Sequence, residues 1–297
     1  MSLVINHNMM AMNAARNLSS SYSRLNNSVR RLSSGLRVGT AADDAAGLAI
    51  RELMRADIKT LQQGVRNAND AISLIQTADG SLGVIDEKLI RMKELAEQAA
   101  TGTYTSDQRL MIESEYQAMA SEITRIANST DFNGVHLLNG NLSIDTHNDA
   151  GITSTGKLKV HFGTGNEKSE DYYYITIGDA TASALGVGNQ AGTDAGGYTV
   201  STQARAQMAV DSINKAIESK DKIRAHLGAM QNRLENTISV LQIQAENLQA
   251  AESRISDVDV ATEMTEFVRN QVLTQSAVAM LSQANSLPQM AMQLIGG

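Results

Sequence analysis

Histidine is the residue type in this chain best suited to binding a metal or moving a proton. A metal site on a helix needs two such ligands three or four residues apart, so that both lie on one face. No two of the five histidines have that spacing, and the chain has no cysteine; the histidines are His7, His136, His147, His161 and His226. The sequence therefore predicts no metal site, and it excludes disulfides and thiolate ligands.

Two pairs of neighbouring carboxylates are candidates for acid–base chemistry: Asp43 with Asp44, and Glu113 with Glu115. A hydrolase that uses two carboxylates holds both in a cleft that tunes their pKa values. We interpret the first pair as helix capping, because Thr40-Ala-Ala-Asp43 has the pattern of a helix start. We interpret the second pair as part of a solvated helix face.

Two short glycine motifs, Gly163-Thr-Gly165 and Gly186-Val-Gly188, resemble fragments of phosphate-binding loops. Neither continues as a complete nucleotide-binding motif, so we interpret both as turns. No serine stands in the GxSxG pattern of a hydrolase nucleophile. The sequence thus predicts no catalytic residue, no cofactor and no enzymatic activity.

Apolar stripes occupy both ends of the chain. Steps of four and three separate Ala11, Ala15, Leu18, Tyr22, Leu25, Val29, Leu32 and Leu36. The same steps separate Leu273, Ala277, Met280, Ala284, Leu287, Ala291 and Leu294. Such a stripe is a coiled-coil seam and does not stay in water as a lone helix. We expect the two terminal helices to pair and the chain to assemble through them.

The composition favours long helices over a thick globular core. Apolar residues make up 42% of the 297 residues, yet aromatic residues make up only 3% and tryptophan is absent. A globular core usually relies on aromatic bulk, which is scarce here. The single proline, Pro288, lies inside the last predicted helix, and we expect it to kink or end that helix.

Charge is unevenly distributed along the chain. Residues 1–42 carry +5 and residues 256–297 carry −3, within a net charge of −7. Either these are two solvated faces, or the terminal helices lie side by side with complementary charge. The basic residues are few and not interleaved with aromatic ones, so we expect no nucleic-acid binding. No apolar run approaches the roughly 20 residues of a membrane span, so we expect no membrane insertion.

Helical patterns continue between the ends. A long helix is predicted from about residue 43 to residue 100, with the stripe Ala78, Leu82, Ile85, Leu89, Met92, Ala96 and Ala99 in its second half. Thr105-Ser-Asp-Gln108 is a capping box that opens the next helix. A further helix is predicted from about residue 201 to residue 255, and Ser256-Asp-Val-Asp259 resembles the start of the last one.

Strand patterns interrupt the helices twice. Residues 135–138 and 141–144 flank Asn139-Gly140, which predicts a hairpin on a two-residue turn. In the glycine-rich region that follows, residues 157–162 and 172–177 are typical of strands. The predicted fold class is mainly α: a long antiparallel helical coiled-coil rod with a short β-hairpin, a small β-rich or irregular insertion, and paired terminal helices.

Several motifs resemble those of bacterial flagellin. They include Arg31-Leu-Ser-Ser-Gly-Leu-Arg37, Ala41-Ala-Asp-Asp-Ala-Ala-Gly-Leu-Ala-Ile50, Asn67-Ala-Asn-Asp-Ala-Ile72, Thr130-Asp-Phe-Asn-Gly134 and Ala251-Glu-Ser-Arg-Ile-Ser-Asp-Val-Asp259. Further matches lie at residues 3–18, 137–140, 261–263, 283–285 and 288–289. The resemblance covers roughly residues 1–142 and 200–297, with the motifs in the family's order.

The resemblance implies a division into domains. Residues 1–35 and 258–297 would form an inner coiled-coil domain, with linkers at 36–42 and 251–257. Residues 43–142 and 200–250 would form a helical rod that includes the hairpin at 135–144. Residues 143–199 would be the variable outer insertion.

The resemblance also implies a function. The chain would be the structural subunit of the flagellar filament for swimming motility, exported unfolded through the flagellar type III secretion channel and polymerised outside the cell at the distal tip. Its partners would be other copies of itself, an export chaperone on the C-terminal helices, and the filament cap and hook–filament junction proteins. The residues expected to drive assembly are Leu18, Tyr22, Leu25, Val29, Leu32, Leu36, Met264, Phe267, Leu273, Met280, Leu281, Leu287 and Leu294.

A second implied site is recognition by the vertebrate toll-like receptor for flagellin. The matching residues are Arg91, Glu94 and Leu95, with Glu115 on the neighbouring helix. Arg91 and Leu95 are four residues apart and so share a helix face. The alternative is that these residues serve ordinary packing and surface charge.

Other functions fit parts of the sequence. A hook–filament junction protein shares terminal helices of this kind, although the agreement of both terminal blocks favours the filament subunit. A cytoplasmic signalling coiled coil would also show heptads and many alanines, but it should form a fixed oligomer. It should also keep its fold when one terminus is removed. An enzyme would need clustered acids or histidines, and the sequence has none.

Overall fold

The computed structural model describes residues 8–143, 156–168, 170–188 and 197–295, without the side chains of residues 287–289 and 291–295. The elements in chain order are α1 (Met9–Ser34), α2 (Ala45–Ala100), α3 (Ser106–Ser129), β1 (Asp131–Phe132), β2 (Val135–His136), β3 (Leu158–His161), β4 (Tyr172–Ile175), α4 (Gln203–Ser256) and α5 (Val260–Ile295). The described strands form two antiparallel pairs, β1 with β2 and β3 with β4. The prediction of a mainly α fold with small β elements is confirmed.

The chain divides into two compact units. One comprises residues 1–58 and 246–297, and the other comprises residues 59–245. The first contains α1 and α5 in full, and the second contains α3 and both strand pairs. The finer division into inner domain, linkers, rod and insertion stays a prediction.

Local side-chain bonds fix where the helices begin. At α3 the capping box is confirmed: the Thr105 N–H donates to the Gln108 side chain (3.0 Å) and the Gln108 N–H donates to the Thr105 hydroxyl (3.4 Å). At α5 the cap is Asp259, whose carboxylate accepts the Ala261 N–H (3.0 Å), whereas Ser256 ends α4. Helix α5 continues through Pro288 to Ile295, so the expectation that the proline ends the helix is wrong.

Helix α2 begins at Ala45, two residues later than the predicted start at about residue 43. Asp44 acts as the cap, because its carboxylate accepts the Gly47 N–H at 3.0 Å. Asp43 instead closes the preceding turn by accepting the Thr40 N–H (3.0 Å) and hydroxyl (2.9 Å). The interpretation of both acids as local capping groups holds, but Thr40 does not cap the helix.

The first hairpin lies earlier in the chain than predicted. Strands β1 and β2 pair across Asn133-Gly134, with Phe132 opposite Val135. Both turn residues have positive φ, 52° and 81°, as a tight type I′ turn requires. The predicted hairpin at 135–144 is wrong, because Asn139 lacks a positive φ and its side chain accepts the Asn141 N–H in a local turn. Residue 144 lies outside the described residues.

The second strand pair closes around a buried aspartate. Residues 158–161 pair with 172–175, which confirms the strands predicted in the glycine-rich region. The Asp171 carboxylate accepts the N–H groups of Glu167 (2.7 Å) and Gly165 (3.1 Å), and these bonds lower its pKa. Gly163-Thr-Gly165 is therefore part of a hairpin loop, as interpreted.

The segment that returns from the insertion is held by α3. The Tyr116 hydroxyl donates to the Gly197 carbonyl (2.6 Å), and the Gln117 amide donates to the Tyr198 carbonyl (2.5 Å). Glu113 accepts the Val200 N–H. Glu113 is therefore not part of a solvated face, and that interpretation of the Glu113–Glu115 pair is wrong for its first member.

The core of residues 59–245 follows the predicted stripe on α2. All seven stripe residues from Ala78 to Ala99 are buried. Helix α3 adds Tyr116 and Ile123, and α4 adds Ile213 and Leu234. Each large apolar side chain of this kind stabilises the fold by about 1.5–3 kcal/mol.

Ion pairs join α2 to α4 within the same unit. Lys220 is 2% exposed, and its ammonium lies 2.5 Å from the Asp86 carboxylate and 2.8 Å from that of Asp221. The Arg224 guanidinium donates to Asp79 at 2.7 and 3.1 Å. These hydrogen bonds from Arg224 lower the pKa of Asp79.

Gly64 supplies a first test of this packing. A Cβ at Gly64 would overlap the carbonyl oxygen of Phe162, whereas a Cβ at Gly80 on the same helix would meet open space. We predict that Gly64→Ala lowers the free energy of unfolding by roughly 1–3 kcal/mol, because the backbone of the second hairpin must move. Gly80→Ala should instead raise it by roughly 0.4–1 kcal/mol. Urea unfolding followed by circular dichroism measures both, and an equal effect of the two substitutions would contradict the close approach.

Acid sensitivity supplies a second test. Because the pKa of Asp79 is lowered from 3.8 in the folded state, its contribution to stability is present above about pH 4 and is lost as the pH falls below that value. Asp79→Asn should therefore reduce the loss of thermal stability between about pH 5 and about pH 3, a range that brackets the ordinary pKa of a carboxyl group. Asp70→Asn, at an exposed aspartate of α2, is the matched control and should leave the acid loss unchanged.

Candidate assembly and recognition surfaces

Helices α1 and α5 form an antiparallel pair. The Asn8 side chain donates to the Ala284 carbonyl at 2.8 Å, which joins the start of α1 to the last third of α5. Arg31 lies 3.6 Å from Glu263, which joins the end of α1 to the start of α5. The predicted pairing of the terminal helices within one chain is therefore present.

The pair is closed at one end by backbone bonds. Leu36 and Asp257 form an isolated antiparallel bridge, flanked by the Arg37 N–H to the Ser256 carbonyl (2.6 Å) and the Val258 N–H to the Gly35 carbonyl (3.0 Å). Gly35 ends α1 with a left-handed φ of 72°. A residue with a side chain rarely adopts that conformation, so glycine suits the position.

Small and polar side chains line the buried face of this pair. Ser28 is buried on α1, and Glu263, Asn270, Thr274 and Ala284 are buried on α5. Among the described side chains, no large apolar residue of α1 or α5 is buried. The fully buried positions of the terminal pair are thus small or polar, and its large apolar side chains are at most half-buried, unlike the seam of an ordinary coiled coil.

The predicted stripe of α1 divides between two faces. Leu18, Leu25, Leu32 and Leu36 are half-buried. Tyr22 and Val29 are 51% and 47% exposed, so the prediction that they line the seam within the chain is wrong. The preceding residues, Ser21 and Ser28, are less exposed and take their place on the inner face. The helix is rotated so that these serines lie on the inner face between the half-buried leucines, and Tyr22 and Val29 face outward.

The predicted stripe of α5 divides in the same way. Phe267 and Leu281 are half-buried. Met264, Leu273 and Met280 are exposed, Met280 to 62%, so they do not line the seam within the chain. The side chains of Leu287 and Leu294 lie outside the described residues.

The sequence stripes miss further apolar residues on the outer faces. Each of these is at least 48% exposed: Met9, Met10 and Met12 on α1, and Val260, Val268, Val272, Val278 and Met290 on α5. The signal that could have found them is that α5 carries apolar residues on every side. A helix that is apolar all round is normally surrounded by other helices or lipid.

Charge joins the terminal helices at one point among the described residues, the pair Arg31–Glu263. Arg30 turns instead to Asp43 at 2.8 Å, and Arg16 bonds to Asn13 on its own helix. The predicted charge complementarity between the ends therefore applies at the Arg31 end, and the rest of the basic residues on α1 face solvent or local partners.

A separate cluster of exposed charges joins α2 to α3. The Arg91 guanidinium donates to Glu115 at 2.8 and 3.0 Å and to Glu94 at 2.9 Å. The hydrogen bonds from Arg91 to Glu115, and next to Glu94, raise the pKa of Arg91. Three of the four residues predicted for receptor recognition are thus held together on the surface.

Leu95 does not belong to that surface. Its side chain is 1% exposed and is part of the core between the helices. The position four residues after Arg91 faces inward here because α3 covers this side of α2. Exposed apolar residues of the same two helices include Ile90, Leu110 and Met111.

In the part of the chain that the structure describes, no three His, Cys, Asp or Glu side chains are grouped so that they could hold a metal ion. None of the described helices is both long enough and apolar enough to span a membrane.

Two family sequence models match this chain. The model described as "Bacterial flagellin N-terminal helical region" matches residues 5–143, and "Bacterial flagellin C-terminal helical region" matches residues 210–295. The "Flagellar filament 33 kDa core protein" of Treponema phagedenis is 40% identical over 293 residues, which cover 99% of this chain and 100% of that protein. A flagellin of Halalkalibacterium halodurans is 42% identical with the same coverage. The crystal structure of Bacillus cereus flagellin is 27% identical, covers 63% of this chain and 94% of that one, and has a TM-score of 0.46.

Proposed function

The chain belongs to the bacterial flagellin family, whose members are structural filament proteins and not enzymes, and we propose that it polymerises by packing its terminal helices against those of neighbouring copies. Membership of this family makes it a structural subunit of the flagellar filament. The curated relatives are filament proteins, which favours the filament subunit over the junction protein and the signalling coiled coil. The proposal concerns how the subunit enters the filament and what else it contacts.

The observation that carries the proposal is that large apolar side chains of the terminal helix pair are exposed on its outer faces. The residues fully buried in the pair are small or polar, such as Ser28, Asn270 and Thr274, and the inward leucines are only half-buried. Tyr22 and Met280 point outward. Apolar surface exposed on this scale marks an interaction surface. A second copy of the chain is the occupant that fits, because each copy offers the same outward apolar faces. The predicted assembly residues Tyr22, Val29, Met264, Leu273 and Met280 serve these contacts between copies.

Folding of the ends and assembly are then one event. Ordering the backbone costs about 1–2 kcal/mol per residue. Burying a large apolar side chain returns about 1.5–3 kcal/mol. The inner face of the pair holds few such side chains, so the ends stay disordered in the free chain and fold when neighbouring copies cover the outer faces. A contact surface that does not close on itself produces an open helical filament.

The same surfaces explain the other proposed partners. An export chaperone would cover the apolar faces of α5 before assembly, and the cap and junction proteins would bind the same faces at the ends of the filament. Unfolded export to the outside of the cell is supported by the lack of cysteine, because a chain without thiols forms no cross-links on the way. Swimming motility follows from the filament.

The exposed charge cluster supports a proposed recognition site for the vertebrate toll-like receptor. Arg91 presents a guanidinium held by Glu94 and Glu115, and a receptor surface with complementary charge would bind this cluster. Leu95 is excluded from direct contact by its burial. Ile90 supplies an exposed apolar side chain beside the cluster.

The assembly surface can be tested by electron microscopy of the purified chain after addition of filament seeds or a precipitant. We predict filaments from the full chain and none from a copy ending at Asp257, because that copy lacks α5. Tyr22→Asp should raise the critical concentration for assembly roughly tenfold or more, as loss of a central interface anchor does.

Asn26→Asp is the matched control for Tyr22→Asp. It adds the same charge at an exposed polar position of α1, one turn further along, and should assemble nearly normally. Both variants should keep the thermal unfolding of residues 59–245, which shows that the fold is intact. Discrete small oligomers from the full chain and from the truncated copy alike would contradict the filament mechanism.

The receptor site can be tested in cells that carry the receptor and a reporter. We predict that Arg91→Ala reduces activation by monomeric protein at least tenfold. This corresponds to a loss of about 1.4 kcal/mol or more of binding free energy, which is typical of an arginine buried in an interface. Arg125→Ala is the control, because Arg125 is an exposed arginine on α3 that pairs with Glu122 in a similar way. An unchanged response with Arg91→Ala would leave the cluster as ordinary surface charge.

A further inference from the structure

Asn270 is an anomaly in the terminal pair. Its side chain lies on the inner face of α5 and is 4% exposed. The carboxamide oxygen Oδ1 is shielded from solvent and accepts no hydrogen bond among the described residues. Native proteins pair nearly all buried polar atoms, so an exception calls for an explanation.

Two other polar residues of this face, Thr274 and Glu263, have partners. The Thr274 hydroxyl donates to the Asn270 backbone carbonyl at 2.8 Å. Glu263 lies 3.6 Å from an Arg31 nitrogen. Arg31 contributes the second unpaired atom of the same pair, its buried Nε. The α1–α5 face thus contains an unpaired acceptor and an unpaired donor that do not meet.

We propose that Asn270 is a built-in weak point that keeps the two terminal helices apart in the free chain. Removing the carboxamide oxygen from water without a new donor opposes pairing of α1 with α5. An apolar residue at this position would favour pairing instead. Asn270 therefore delays pairing until neighbouring copies cover the outer faces. The role of other copies in this delay rests on the proposed function.

The position of Asn270 argues against a simpler explanation. If Oδ1 were an acceptor for a neighbouring copy, it would lie where a second chain could reach it. It lies instead on the face covered by α1, together with Ser28 and Thr274. The outward apolar residues, such as Met280, occupy other faces of α5. The weak point and the assembly surface are thus separate parts of the same helix.

Trypsin cleavage of the full-length monomer tests the weak point directly. Arg16 and Arg24 are exposed sites on α1, and cleavage there reports how often the pair is open. Asn270→Leu should slow cleavage at both sites at least about fivefold, because the unpaired oxygen is gone. Asn270→Ala removes the same oxygen without added bulk and should also slow cleavage. Gln271→Leu adds the same leucine at an exposed neighbouring position and should change little.

Three outcomes would overturn the proposal. Resistance of the unsubstituted chain to cleavage at Arg24 would mean that the pair is already closed in the free chain. Equal cleavage of the Asn270 variants and Gln271→Leu would mean that the buried oxygen does not weaken pairing. An increased critical concentration for Asn270→Leu, with unchanged cleavage, would mean that Asn270 accepts a bond from another copy.

Filament assembly of the same variants separates the two proposals. If the weak point acts in assembly, Asn270→Leu should form filaments at a lower concentration than the unsubstituted chain. If no variant forms filaments but Asn270→Leu still slows cleavage, the proposed assembly mechanism fails and the weak point stands.

Discussion

The constraint on which this protein depends is that its terminal helices carry more apolar surface than they can bury against each other. A pair of helices has two inner faces and must leave its outer faces to solvent. Here the fully buried residues are small or polar, such as Ser28 and Asn270, and many large apolar side chains, such as that of Met280, are exposed on the outer faces. The free energy of burying those side chains becomes available when another surface covers them.

Residues 59–245 differ, because their large apolar side chains and their buried charge find partners within the same unit. Their apolar stripe on α2 is buried by side chains of α3 and α4, and their buried charge Lys220 has the carboxylate of Asp86 beside it. Backbone groups of the segment leaving the insertion bond to Tyr116 and its neighbours on α3. One chain therefore combines a unit with a buried apolar core and a unit that leaves large apolar side chains exposed.

Glycine and aspartate set the fine geometry where helix, hairpin and backbone come close. Gly64 admits the carbonyl of Phe162 against α2, and Asn67 on the same helix donates to the His161 carbonyl at 2.8 Å. The Asp171 carboxylate accepts hydrogen bonds from the N–H groups of Gly165 and Glu167 in the hairpin loop. The contacts of Gly64 and Asn67 join segments far apart in sequence, so their roles are invisible in any local pattern, whereas the bonds of Asp171 are local.

The sequence by itself determined what depends on near neighbours in the chain. The capping box at Thr105 and the stripe from Ala78 to Ala99 are local patterns, and the structure has both. Two Asn-Gly pairs competed for the hairpin, and only Asn133-Gly134 takes the backbone conformation that a tight turn needs. The motifs of residues 1–142 and 200–297 also sufficed to recognise the family.

Only the tertiary structure decided which face of each helix is covered. A stripe with steps of three and four remains consistent when the helix rotates by one residue, so the sequence could not distinguish Tyr22 from Ser21 as the inner residue. For the same reason it could not show that Leu95 is buried while Arg91, four residues away, is exposed. The surface that a helix packs against fixes the rotation of that helix. In this protein the residues buried between the terminal helices are small or polar, whereas those buried within residues 59–245 include many large apolar ones.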